Sequence, residues 1–192
     1  DLFGGVDQRE ELFKYFCHLS SVCRDLGGQT MVWGAGRHSG DLDIQCARDL
    51  LIGFVSRLIP VLEAENTILC IEPLGPTDTN ILNTVRENIE FVDMFGSSAF
   101  KIQMDAKAMA ENNEVDFDVF RLAKPLLVHY HVNDLGLGAL GNSGAVDHKT
   151  LGASLKKIGY DGFVSLEQRQ LDERDPIEPL RNSLKIMTEY YR

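Results

Sequence analysis

The sequence predicts an α/β protein in which parallel strands alternate with helices. Short apolar runs that stop at glycine or at an acidic residue are typical of buried parallel strands, and apolar residues recur at helical spacing between them. The predicted strands are residues 30–36, 67–73, 99–105, 127–134 and 163–168. Such sheets carry their chemistry at the carboxyl ends of the strands, whether the sheet is open and doubly wound or closed into a barrel.

Helices are predicted before every strand and at the end of the chain. The first ends at Gly27-Gly28, which suits a left-handed C-terminal cap. Thr84 and Glu87 have the spacing of a capping box at the start of the third helix. The other helices are expected at 46–64, near 116–124, at 147–158, and around Leu180, Leu184 and Met187.

Composition favours a soluble protein with a small-molecule partner. The 192 residues, 44% of them hydrophobic, can form one domain with a sizeable core, so residues 1–192 are taken as a single domain. A net charge of −10 argues against nucleic acid as a partner, and no apolar run is long enough to suggest a membrane span. The four cysteines form no CxxC pair and lie on apolar stretches, which predicts reduced core residues of a cytoplasmic protein.

Three acids and a histidine lie at or near the ends of four different predicted strands. These residues, the strand-end cluster, are Glu72, Asp105, His131 and Glu167. A single acid at a strand end is most often a helix cap or a solvated residue. That interpretation is weaker here, because four such residues lie at the ends of four different strands. Carboxylates that converge in an apolar setting need a shared cation, because a lone buried carboxylate is costly. Oxygen ligands with one imidazole suit Mn²⁺, Mg²⁺ or Co²⁺, with Zn²⁺ as an alternative.

His129 and His131 lie two residues apart on the fourth strand and therefore share a face. His131 is nearer the carboxyl end and is the metal candidate. His129 is expected one layer deeper, where it could support the ligands, contact a substrate or form a hydrogen bond within the core.

Four segments carry a family resemblance: CIEPLGPTDTNILNT, KIQMDAKAM, LVHYHVND and SLKKIGYDGFVSLE. Together they resemble the xylose-isomerase-like (β/α)₈ TIM barrels, and among these the sugar phosphate isomerase/epimerase group with its ketose 3-epimerases and hydroxypyruvate isomerases. The resemblance implies that the strand-end cluster binds one divalent metal ion. It also implies that Glu72 and Glu167 are the catalytic acid and base, on opposite faces of the substrate.

The chemistry implied by the resemblance is proton transfer next to a carbonyl. A divalent ion there would act as a Lewis acid on a ketose carbonyl and its neighbouring hydroxyl and stabilise an enediolate. The expected function is isomerisation or epimerisation of a ketose, keto-acid or sugar phosphate. Sequence does not distinguish between these reactions.

Some positions depart from the family pattern. Ala108 stands where many relatives carry a histidine, and Leu137 stands near the place of an arginine. A non-catalytic relative that keeps the metal is therefore one alternative. An endonuclease IV-like DNA-repair enzyme is a remote alternative, because it would need extra histidines for several zinc ions and a basic groove, whereas this chain has five histidines.

Substrate contacts are expected from residues around the cluster. Asp78 keeps an acid where relatives often carry a carboxylate, and Arg169 could pair with Glu167 on the same face. Trp33 could stack on a sugar or anchor the core. Arg37 lies in a loop after the first strand, where it could contact an anionic substrate but is expected to be solvated.

The length predicts an incomplete barrel. A (β/α)₈ barrel needs about 250 residues, so five predicted strands indicate the C-terminal portion of such a barrel, without its first three βα units. Open strand edges and an apolar inner face are an aggregation hazard. We therefore expect a homodimer that buries them, or a rearranged sheet.

Overall fold

A computed structural model describes residues 2–172, 174–175 and 177–192. Its strands are β1 (Thr30–Trp33), β2 (Ile68–Ile71), β3 (Phe100–Asp105), β4 (Leu127–Val132) and β5 (Phe163–Leu166). Its helices are α1 (Val6–Asp25), α2 (Ile44–Glu65), α3 (Val85–Asp93), α4 (Ala106–Glu111), α5 (Phe117–Ala123), α6 (His148–Lys157) and α7 (Ile177–Tyr191), with a 3₁₀ turn at Leu135–Leu137.

The strands pair in chain order, β1-β2-β3-β4-β5, and every pair is parallel. The sheet curls into a half-barrel, so the predicted incomplete (β/α)₈ TIM barrel is confirmed. All five predicted strands are present, and four of them end earlier than expected. The first predicted strand, for example, stops at Trp33.

Helix α4 was missed from the sequence because its six residues are too few to show helical periodicity. It starts directly at the end of β3. The side chain of Asp105 accepts the backbone N–H of Ala108 at 2.7 Å and thereby caps the helix. The predicted capping box of α3 is present, with Thr84 and Glu87 bonding to each other's backbone N–H.

The outer face of the sheet packs against the helices and forms the core. Trp33 is 6% exposed and contacts Phe16 of α1 and Phe54 of α2 through ring centroids 5.0 and 5.5 Å away. This is the core-anchor position that the sequence left open as the alternative to sugar stacking. Tyr130 is fully buried on the same outer face and stacks on Phe120 of α5.

The inner face is open on one side, because β1 and β5 are the edges of the sheet in the described residues. Partners in register point to the same side, so Gln103, His129 and Phe163 form one layer and the ends of β3 and β4 form the next. Phe163 is 82% exposed on this face. The open edges foreseen from the sequence are thus present.

The cysteine prediction needs one correction. All four cysteines are free, as expected, but only Cys70 is buried: Cys17 and Cys23 are partly exposed, and Cys46 is exposed. Cys46 lies in the first turn of α2, where the capping carboxylate of Asp43 accepts its backbone N–H. This first turn leaves Cys46 facing solvent, although its apolar neighbours in the sequence suggested a core position.

Candidate metal centre

The curled sheet brings the strand-end cluster together. Glu72 follows β2, Asp105 ends β3, His131 lies near the end of β4, and Glu167 follows β5. One ligand atom from each lies within 4.8 Å of the others. The two acids from the central strands are buried, at 6% and 3% exposure, while the other two residues are partly exposed.

His131 is the centre of this arrangement. Its Nδ1 lies 2.9 Å from Oε1 of Glu72, 3.6 Å from Oε2 of Glu167 and 3.9 Å from Oδ2 of Asp105. A single ring nitrogen thus faces three carboxylates. Gly34 leaves room for the side chain of Glu72, because a Cβ at position 34 would lie 2.0 Å from Oε2 of Glu72.

Asn133 holds two of the carboxylates, and sequence reasoning missed it. Its Nδ2 donates to Oδ2 of Asp105 at 2.6 Å and to Oε2 of Glu167 at 2.8 Å. Its Oδ1 accepts the backbone N–H of Lys107 at 2.8 Å, which fixes the orientation of the amide. An asparagine just after a strand is typical of a turn, so no sequence signal separated it from an ordinary loop residue.

Gln103 was also missed. It lies one layer below the cluster, and its Nε2 donates to Oε1 of Glu72 at 2.5 Å. An amide in an apolar strand could have been noticed, because a buried polar side chain needs a partner.

Arg37 is fully buried, so the expectation that it is solvated was wrong. Its guanidinium donates to the backbone carbonyls of Gly34, Ile81 and Glu72. Burial lowers the pKa of Arg37 to about 10, and the charge of Glu72 opposes this shift. The residue therefore joins the segments that follow β1 and β2, and one of its acceptors is the backbone of Glu72 in the cluster.

The electrostatics fit a site for a cation. Burial, followed by the charge of Glu72, raises the pKa of Asp105 to about 8. Burial alone would lower the pKa of His131, but hydrogen bonds to the Glu167 and Glu72 carboxylates raise it to about 10. The hydrogen bond to His131 lowers the pKa of Glu167. Without a metal the cluster retains protons, and a divalent ion could replace them.

A cleft of about 480 Å³ opens above the cluster. Its walls include the three acids of the cluster, Asn133, Lys107 and Asp78, as well as Ala108 and Leu137. The ammonium of Lys107 lies 2.7 Å from Oδ2 of Asp78 and 3.8 Å from Oε2 of Glu111. Asp78 therefore stands at the cleft where the sequence placed it, and Lys107 is a charged wall residue that sequence reasoning missed.

Two other proposed substrate contacts lie elsewhere. Arg169 is exposed, and its backbone N–H donates to the carbonyl of Leu137 at 3.0 Å. No ion pair joins it to Glu167 in the described part of the chain. His129 lines a separate cavity of about 770 Å³ at the amino ends of the strands, and its ring lies edge-on to His131 at 5.2 Å. Burial, with a smaller effect of His131, lowers its pKa.

The comparisons identify the class of this half-barrel. Residues 3–190 match the model of the xylose isomerase-like TIM barrel family, and the chain belongs to that family. A D-psicose 3-epimerase of Agrobacterium fabrum is 32% identical over 99 residues, which is 52% of this chain and 34% of that protein. The chain spans 33% to 53% of the length of four curated 3-epimerases that it matches.

Solved structures share the fold. A D-psicose 3-epimerase from Clostridium cellulolyticum, solved with D-tagatose, superposes with a TM-score of 0.87 at 18% identity, over 100% of this chain and 75% of that one. The IolI protein, solved with a zinc atom, gives a TM-score of 0.77 at 16% identity over 98% and 74%. Within the described residues, no helix has the length and apolar character needed to cross a membrane.

Proposed function

We propose that this chain is a divalent-metal-dependent epimerase or isomerase of a ketose or a related sugar derivative. The observation that carries the proposal is the strand-end cluster, in which three carboxylates and one imidazole converge with one ligand atom each within 4.8 Å of the others. One Mn²⁺, Mg²⁺ or Co²⁺ ion, or Zn²⁺ in their place, would balance that charge. The curated relatives named as ketose 3-epimerases support the same class of reaction.

The two proposed catalytic glutamates approach the cleft from different directions. Glu72 follows β2 and Glu167 follows β5, so β3 and β4 lie between them. A bound metal would polarise a carbonyl and make the adjacent C–H more acidic. One carboxylate would remove that proton and the other would deliver a proton from the opposite side, as epimerisation requires. The pocket walls would orient the sugar between them.

The surrounding residues would hold the side chains of the two glutamates in position for proton transfer. Gln103 and His131 both bond to Glu72, and Asn133 and His131 bond to or approach Glu167. The lowered pKa of Glu167 favours its ionised form, which is the form that can accept a proton.

Exchange of carbon-bound hydrogen with solvent tests the proposal. Protein loaded with Mn²⁺ and incubated in deuterated water with a panel of ketoses, including D-fructose and D-tagatose, should introduce deuterium next to the carbonyl of at least one. Glu167→Gln should abolish the exchange, while Glu11→Gln on the exposed surface of α1 should leave it unchanged. Absence of Mn²⁺ binding together with absence of exchange would overturn the proposal.

A second candidate is a metal-binding relative without catalysis. It is favoured by Ala108 and Leu137, which line the cleft and can offer a substrate no side-chain hydrogen bond. Mn²⁺ binding without deuterium exchange for any ketose in the panel would select this function. For either candidate we expect a small sugar as the partner and, from the free cysteines, a reducing cytoplasmic location.

A further inference from the structure

Helix α1 carries a second apolar face in addition to the one that packs in the core. The core-facing side includes Phe16, which contacts the rings of Trp33 and Phe54. The second face lines a groove of about 500 Å³ beside the edge strand β1. On this face Tyr15 is 56% exposed and Val22 is 37% exposed. We call it the α1 stripe; it consists of Leu12, Tyr15, Leu19, Val22 and Leu26.

Helix α7 has a matching face at the opposite edge of the sheet. Its core-facing side includes Ser183, whose hydroxyl accepts the backbone N–H of Leu140 at 3.0 Å. Another side lines a groove of about 310 Å³ beside the edge strand β5, where Leu184 is 49% exposed and Phe163 is 82% exposed. Ile177, at the start of the helix, is 52% exposed. We call this face the α7 stripe; it consists of Ile177, Leu180, Leu184 and Met187.

The two stripes have the same spacing. Successive residues of the α7 stripe are three, four and three positions apart, and the α1 stripe has these steps followed by one of four. Apolar residues that alternate between steps of three and four are the pattern with which two helices pack as a coiled coil. Each stripe is therefore suited to bind another helix with the same repeat.

The directions of the helices allow α1 and α7 of two different copies to pair. Phe16 contacts Trp33 at the end of β1, whereas α1 ends shortly before β1 begins, so the helix runs antiparallel to the strand. In α7, Ser183 bonds to Gln168 beyond the end of β5, and the end of the helix lies at Phe163, where β5 begins. A two-fold axis parallel to the strands would therefore place α1 of one copy beside α7 of the other, with both helices running in the same direction.

The ends of the two helices set the register of this pair. Both helices end beside the amino ends of the strands, so Leu26 of one copy lies level with Tyr191 of the other. In this register the two stripes meet residue by residue in four apolar layers. These layers are Leu12 with Ile177, Tyr15 with Leu180, Leu19 with Leu184, and Val22 with Met187.

The charges beside the stripes fit the same register. Glu11 directly precedes Leu12, and Arg181 follows Ile177 by four positions. Residues at these positions flank the apolar seam of a parallel coiled coil and form salt bridges between the two helices. Both residues are exposed, and neither forms an ion pair with another residue that the structure describes. An acid of one copy thus faces a base of the other.

We propose that a second copy of this chain covers both stripes, with α1 of each copy packed against α7 of the other. Two identical helix pairs then close the dimer around its two-fold axis, so no stripe is left to recruit a third copy. The open inner faces of the two half-barrels, each with an exposed Phe163, face one another inside this ring. The inference does not depend on the proposed function, and it assigns the helices and the register that hold the expected homodimer together.

A charge placed in either stripe tests the helix pairs. Tyr15→Asp and Leu184→Asp change side chains that are about half exposed in a single copy, so each variant should keep the native circular dichroism spectrum. Each should raise the dimer dissociation constant, measured by analytical ultracentrifugation, by at least about a hundredfold, because an unpaired charge is costly to bury. Leu122→Asp on α5, where the leucine is 41% exposed, is the matched control and should keep the native constant.

A paired substitution tests the register. Leu19→Asp alone should dissociate the dimer, and Leu184→Lys added to it should restore most of the affinity, because the two charges then face each other between copies. Ile177→Lys added to Leu19→Asp should restore less, since Ile177 lies two layers away from position 19 in the proposed pair.

A native chain that remains monomeric overturns the inference. A dimer whose dissociation constant is unchanged in both Tyr15→Asp and Leu184→Asp also overturns it, because the copies would then meet through other surfaces, such as the strand edges alone. Equal recovery by Ile177→Lys and by Leu184→Lys would contradict the register.

Discussion

Asn133 lies between two carboxylates that would otherwise repel each other. Its amide donates to Asp105 and Glu167, which come from strands on either side of β4. Because its oxygen is held by the backbone of Lys107, the amide cannot rotate without losing a hydrogen bond. We therefore regard Asn133 as a positioning residue for the metal ligands.

Replacing Asn133 by alanine should weaken Mn²⁺ binding by about ten- to a hundredfold, as is usual when an outer partner of a metal ligand is lost. Isothermal titration calorimetry measures this directly. Asn142→Ala, in an exposed loop, should leave the affinity unchanged. An Asn133→Ala protein that folds normally and binds Mn²⁺ with native affinity would contradict the positioning role.

Metal affinity should rise with pH up to about pH 10, the raised pKa of His131, because bound metal must displace protons from its ligands. Asp105 has a pKa raised to about 8 and His131 a pKa raised to about 10. Both folded values lie above the unfolded ones, so the metal-free protein should lose stability as the pH rises through this range. Mn²⁺ should reverse that trend, and a pH-independent affinity would argue that other groups bind the metal.

At the scale of the secondary-structure elements, Arg37 links segments that follow different strands. Its buried guanidinium connects the chain after β1, the chain after β2 and the segment at Ile81 through three carbonyl acceptors. The segments after β1 and β2 line the cleft, so their relative positions affect where Glu72 points. A buried arginine with carbonyl partners is costly to replace, because the acceptors remain buried and unsatisfied.

Arg37→Met should lower the free energy of unfolding by about 3 kcal/mol and weaken Mn²⁺ binding as well. Urea denaturation gives the first quantity and calorimetric titration the second. Arg121→Met is the matched control, since Arg121 is 62% exposed and makes a surface pair with Asp118; it should cost about 0.5 kcal/mol or less. A free energy of unfolding in Arg37→Met equal to that of the native protein would show that the hydrogen bonds of Arg37 do not stabilise this part of the cleft.

The elements differ in how well the sequence predicts them. Short apolar runs predict strands β1 to β5, because such runs are typical of parallel strands, although the inner face of this half-barrel is open. Helix α4 could not be predicted, since it depends on a single capping carboxylate rather than on periodicity. Asn133 and Lys107 were missed, and Arg37 was wrongly expected to be solvated, for a related reason: their surroundings come from segments far apart in sequence.

At the scale of the molecule, the half-barrel leaves its inner face and two strand edges open in the described residues. Phe163 is 82% exposed there, beside His129 and a cavity of about 770 Å³. An exposed aromatic residue on an open sheet is a typical association surface. The homodimer expected from the sequence remains our proposal for how this surface is covered.

Light scattering tests that proposal. The native chain should behave as a dimer, and Phe163→Asp should shift it towards a monomer because a charge on the inner face opposes burial. Met94→Asp, on the outer surface after α3 and 58% exposed, should not change the mass. A native chain that stays monomeric and soluble at high concentration would contradict the dimer.

The central claim is that Glu72, Asp105, His131 and Glu167 bind one divalent ion, and an anomalous difference map from Mn²⁺-soaked crystals tests it most directly. The account predicts a single strong peak about 2.0–2.3 Å from one atom of each side chain. The peak should disappear in Asp105→Asn crystals. Absence of a peak at the cluster in the native crystals, or a peak held by other residues, would contradict the account.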